Sequence, residues 1–206
     1  MTITTERPFD AILCDLDNVI RYFDMSPILA LEEAAGLAPG TTAKTAFAPD
    51  QDLPALLGRI THEQWADSVA AALTGLVPAP VARELGAAFA SSPFHADEEV
   101  VALLRAARTH LRLVLVTNAT LRVEEDLAAL GLSDLAHEVV SSARVGIAKP
   151  DPGIYEIAVS RAGVPAQRCL FVDDRLENVE AAASLGLQTL HFRSAGELRG
   201  RLDFLL

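Results

Sequence analysis

Apolar residues recur along this chain in two rhythms. In the carboxyl-terminal half, short apolar runs alternate with stretches whose apolar positions return every three or four residues. That alternation is the pattern of βαβ units and a mostly parallel sheet. It predicts strands near 9–16, 112–117, 138–141, 168–172 and 188–192, with helices over 97–110, 121–130, 152–162 and 176–185. Local signals agree with the pattern. Asp97, followed by Glu98 and Glu99, reads as a capped, acidic first turn, and Asp151-Pro152 as a cap with a first-turn proline. Gly131, Gly163 and Gly186 follow expected helix ends, and Ser194 with Glu197 reads as the capping box of a last helix.

The first half keeps only the helical rhythm. After Ile20 no convincing strand is expected until about residue 112, and alanine- and leucine-rich segments predict helices over 26–36, 52–58, 62–74 and 80–90. Stretches rich in Pro, Gly and Thr, such as APGTTAKTAFAPD, separate them. Residues 22–92 therefore read as a helical insertion dividing a core made of 1–21 and 93–206. Trp65 and Phe89 fall on apolar helix faces and are expected in its packing.

Composition narrows the function classes. A 206-residue chain that is 50% hydrophobic can bury one compact core with an insertion. Its 17 basic and 28 acidic residues give a net charge of −11, which repels nucleic acids and anionic membranes. No apolar run is long enough to span a bilayer, and the polar start MTITTERP lacks the apolar stretch of a secretion signal, so the expected compartment is cytoplasmic. Cys14 and Cys169 lie in strand-like apolar runs without zinc-ligand spacing and are expected as buried thiols.

The chemistry gathers where the strands end, which in a parallel sheet is where ligands bind. The first strand, DAILCDLDNVI, runs into Asp15 and Asp17; had it continued, both would point the same way, a repulsion that a divalent cation would relieve. The second ends in Thr117 and Asn118, a loop carrying Lys149 follows the third, and the fourth ends in Asp173 and Asp174. Singly, each reads as easily as a turn, a cap or a solvated lysine. Jointly they compose a cation site facing a phosphate site.

These residues resemble the motifs of the haloacid dehalogenase-like hydrolase superfamily. Asp15-Leu16-Asp17-Asn18-Val19-Ile20 matches its first motif, Thr117-Asn118 its second, Lys149-Pro150-Asp151-Pro152 its third and Asp173-Asp174 its fourth, in order and over nearly the whole chain. The resemblance implies an α/β, Rossmann-like parallel-sheet core with a small α-helical cap over 22–92, and a Mg2+-dependent phosphohydrolase acting on a small phosphorylated metabolite. By the same resemblance Asp15 is the nucleophile and Asp17 the general acid and base. Mg2+ is then held by Asp15, the backbone carbonyl of Asp17 and Asp174, with Asp173 nearby, while Thr117, Asn118 and Lys149 bind the phosphoryl group. Asn18 stands where many members carry glycine, and Asn178 where some carry aspartate. Alternatives are a 2-haloacid dehalogenase, a phosphomutase, or a catalytically idle metabolite-binding domain. Dehalogenation is disfavoured by Asp17, because a halide leaves without a proton. Arg21, Tyr22, Asp24, Lys44 and Arg59 are the residues from which substrate contacts would be drawn.

Overall fold

The computed structural model describes residues 7–205 of the chain. Most of the polar start MTITTERP lies outside them. In chain order the elements are β1 (Ala11–Cys14), β2 (Arg21–Phe23), α1 (Ser26–Ala34), α2 (Thr41–Ala46), α3 (Pro49–Leu56), α4 (His62–Leu73), α5 (Ala79–Ala90) and β3 (Phe94–Ala96). They continue with α6 (Glu98–Arg108), β4 (Arg112–Thr117), α7 (Val123–Ala129), β5 (Glu138–Ser141), α8 (Ser142–Val145), α9 (Pro152–Ala162), β6 (Cys169–Asp173), α10 (Leu176–Ser184), β7 (Gln188–His191) and α11 (Ala195–Leu202).

Five strands form one parallel sheet in the order β5-β4-β1-β6-β7, with β1 at its centre. Both faces are covered, which is why AILC is buried at all four positions rather than alternating. Ile12, Cys14, Leu113, Leu115, Leu170 and Val172 pack on one side with Leu104, Val123 and Leu198. Leu13, Val114, Val116 and Phe171 pack on the other with Ile154, Tyr155 and Ala158. The fold is the α/β parallel sheet that the alternation predicts, in the Rossmann-like arrangement that the resemblance implies.

The helices of 22–92 gather around their own cluster, in which Ile28, Trp65, Val69, Leu73, Leu85 and Phe89 are buried. The core placement of Trp65 and Phe89 is as expected. Three expectations are corrected. Strands do occur between Ile20 and residue 112: β2 and β3 pair antiparallel as a two-stranded ribbon at the two ends of the helical segment. Each has three residues, too few to show a period. Second, TTAKTA, read as part of a separator, is helix α2; its first amides are capped by Glu32 of α1, whose carboxylate accepts from Gly40 N and Thr42 N, both at 2.6 Å. Third, the strand read as 9–16 ends at Cys14, so Asp15 and Asp17 do not share a strand face.

The punctuation signals hold at their residues. Asp97 accepts from Val100 N and Asp151 from Gly153 N, while Ser194 accepts from Glu197 N at 3.4 Å, the serine half of the expected box. Gly131, Gly163 and Gly186 have φ of 68°, 72° and 84°. That left-handed conformation closes a helix at little cost only for glycine.

Candidate active site

Because β4, β1 and β6 are neighbours, Thr117, Asp15 and Asp173 come side by side at their carboxyl ends, about 4.8 Å apart per strand. Asp173 closes β6 and its neighbour Asp174 begins the turn into α10. Lys149 arrives from the loop before α9, and Asn118 fixes that loop: its side chain accepts from Lys149 N at 2.8 Å and donates to Lys149 O at 2.9 Å. Lys149 Nζ then lies 2.7 Å from Asp15 Oδ1 and 2.7 Å from Asp173 Oδ2, all three side chains being buried.

Each buried charge is held from several sides. Asp15 Oδ1 accepts from Leu16 N at 2.7 Å. Asp173 accepts from Arg175 N at 2.8 Å and from Asn178 Nδ2 at 3.0 and 3.1 Å. Asn178, read in the sequence only as a missing charge, orients the Asp173 carboxylate. Asn18 takes φ of 59°, a left-handed turn that asparagine tolerates better than most residues, and its amide donates to Asp174 Oδ2 at 3.2 Å. Thr117 Oγ1, at the end of β4, is buried and has no hydrogen-bond partner among the described residues, an orphan hydroxyl on the strand beside that of Asp15.

Burial pushes the Asp15 carboxyl up to about 8, against the pull of Lys149. Burial also opposes the Lys149 charge, but Asp15 and Asp173 outweigh it and hold the ammonium above its ordinary value. Burial, with Asp173 alongside, raises Asp174. Such a site favours an added positive charge. Asp15, Asp173 and Asp174 each offer one oxygen within 4.8 Å of the others, a hard donor set of the kind that Mg2+ takes.

Asp17 stands apart. The turn after β1 directs its carboxylate to Arg21, which grips it through Nε at 2.6 Å and Nη2 at 3.0 Å, and Asp17 is not one of the three clustered aspartates. Arg21, expected among substrate contacts, is buried, whereas Tyr22 donates to Asn18 O at 2.8 Å and Asp24 accepts from Ser26 N at 2.9 Å. Lys44 and Arg59 are exposed.

The helical segment touches the core close to this site. A Cβ on Gly58 would lie 2.3 Å from Ala143 O of α8, so the backbones meet there directly. His62 donates from Nε2 to Ala90 O at 2.7 Å, a tautomer that leaves Nδ1 to accept from Thr120 Oγ1 at 3.5 Å, just beyond β4. Neither contact carries a sequence signal, because both join residues far apart in the chain.

Known proteins resemble this chain in sequence and in fold. The family profile of haloacid dehalogenase-like hydrolases matches residues 9–186. Phosphatase MT3486 of Mycobacterium tuberculosis is 36% identical over 100 residues, 48% of this chain and 46% of that protein. Glyceraldehyde 3-phosphate phosphatase of Methanopyrus kandleri is 37% identical over 70 residues, 34% of this chain and 30% of that protein. The chain thus spans less than half the length of these relatives. A HAD-family enzyme of Bacteroides thetaiotaomicron, solved in complex with magnesium and inorganic phosphate, superposes with a TM-score of 0.70 at 20% identity, covering 91% of this chain and 96% of that one.

Proposed function

This chain belongs to the haloacid dehalogenase-like hydrolase family, and from that premise we propose that it is a Mg2+-dependent phosphatase of a small phosphorylated metabolite, working through an aspartyl-phosphate. The observation that carries the reading is the buried Asp15–Lys149–Asp173 chain beside the orphan Thr117 hydroxyl: a carboxylate nucleophile with cationic and hydroxyl donors beside it. The magnesium in the Bacteroides structure and the phosphatase relatives support it.

An Asp15 oxygen attacks phosphorus and the bond to the leaving oxygen breaks; Asp17 gives that oxygen its proton. Water then attacks the aspartyl-phosphate, Asp17 takes the proton, and inorganic phosphate leaves with Asp15 restored. Lys149, Thr117 and the backbone amide of Asn118 stabilise the phosphoryl oxygens as charge shifts among them. Asp15, Asp173 and Asp174, with the Asp17 carbonyl, would hold Mg2+, and its charge would let the carboxylates and a phosphate dianion share one pocket. In this reading 22–92 is the cap over a core of 1–21 and 93–206, and its contacts at Gly58 and His62 bring it to the rim of the site. The cytoplasm is the proposed compartment, in keeping with the buried, unpaired thiols of Cys14 and Cys169.

The test traps the intermediate. With Mg2+ and a labelled aryl phosphate, Asp17→Asn should accumulate protein-bound phosphate, because a good leaving group needs little protonation while water lacks its base. Asp15→Asn should fold, bind no label and show no turnover. Label on another residue, or turnover by Asp15→Asn, overturns the mechanism.

A further inference from the structure

Arg21 is 4% exposed, and its guanidinium has anions on two sides. Nε and Nη2 donate to Asp17, and Nη1 donates to Asp126 Oδ2 of α7 at 2.7 Å. The rings of Phe23 and Phe94, from the two strands of the β2–β3 ribbon, lie 4.8 and 5.5 Å from its central carbon. Asp17 is the looser partner, with its side chain 30% exposed.

We propose that Arg21 is a positioning residue, a latch that holds the Asp17 carboxylate away from the reacting centre in the unliganded enzyme and lets it go when the phosphoryl site fills. The inference rests on the reading of Asp17 as the acid and base. A static strut would leave a buried cation stranded when its carboxylate moved, which is costly. Arg21 escapes that cost: Asp126 and the two aromatic faces keep it satisfied after Asp17 departs. The fork is also suited to holding rather than merely attracting, since two parallel charge-assisted bonds fix the carboxylate's orientation. Asp17 must break both to turn toward a leaving oxygen. The latch thus favours an idle arrangement until a ligand offers Asp17 something better, which is a population shift set by differential contacts.

The experiment follows the Arg21 Nε–H signal of 15N-labelled wild-type protein, with Mg2+ and aluminium fluoride as the phosphoryl-transfer mimic. Backbone amides of Thr117 and Lys149 report binding. The expected result is that the mimic binds and the Arg21 Nε–H exchanges faster and shifts as its carboxylate partner leaves. A mimic that binds without moving the Arg21 signal overturns the latch while leaving the phosphatase reading intact. Absence of any response at Thr117 and Lys149 removes the phosphatase reading, and the latch that depends on it. In Arg21→Met the mimic should bind about three- to tenfold more tightly, because the withdrawn state no longer competes. Weaker binding in that variant would mean that Arg21 holds Asp17 in its productive position, and would overturn the latch. If Arg21→Met does not fold, the wild-type spectrum decides.

Discussion

At the carboxyl ends of β1 and β6, Asp15, Lys149 and Asp173 are buried together; the helical segment between β2 and β3 buries mainly apolar side chains and leaves most of its charges outside. Both regions are packed, but different physics holds them. The charged trio is tolerable only because each member has fixed partners at hydrogen-bond distance, so the loss of one strands the others. Apolar packing is non-directional, so damage in the helical segment should stay local. Directional, buried polar groups thus lie where chemistry is proposed, and forgiving contacts lie in the proposed cap.

Lys149→Met strikes the first region hardest. It leaves Asp15 and Asp173 facing each other without a cation, and should cost about 3–5 kcal/mol of stability together with a loss of about 10²–10³ in turnover. Mg2+ should then raise the melting temperature of the variant more than that of the wild type, because a cation replaces the missing charge. Equal Mg2+ shifts in the two proteins would separate the trio from the cation site. Excess EDTA should remove wild-type activity and added Mg2+ restore it.

Trp65→Ala probes the second region. Trp65 is 8% exposed and meets Phe89 edge-on at 5.7 Å, so the cavity should cost about 3 kcal/mol. Faster hydrogen exchange should appear within 22–92, with Mg2+ affinity at the strand ends unchanged. Weakened Mg2+ binding would show that the two regions are mechanically joined.

The smallest effect lies on the boundary. Asp52 of α3 is partly buried, and desolvation pushes its carboxyl up to about 6, with Arg175 of the turn after β6 pulling the other way. The folded protein therefore holds a proton there that the unfolded chain has lost, and this group's contribution to stability falls as pH rises from about 4 through 6. Asp52→Asn should be more stable than wild type by about 1 kcal/mol above pH 6 and equal to it below pH 4, read from denaturant midpoints. A gain independent of pH would show that shape, not charge, governs the position.

Much of this protein was legible from short range. The strand and helix rhythm, the Asp97 and Asp151 caps and the left-handed glycines all arise from interactions within a few residues, and a sequence displays those directly. Thr117, Lys149, Asp173 and Asp174 could be singled out only jointly, because they fall at or just after successive strand ends of one parallel sheet. Tertiary packing decided the rest. It set Asp126 against Arg21, Asn118 against the Lys149 backbone, and Glu32 against the start of α2. The turn after Cys14 brought the Asp17 carboxylate onto Arg21, although the sequence spaces it with Asp15 as a pair. Periodicity says which face of an element is buried, but which polar group waits on the opposing element follows only from the packed arrangement of strands and helices, where residues a hundred positions apart come within one hydrogen bond of each other.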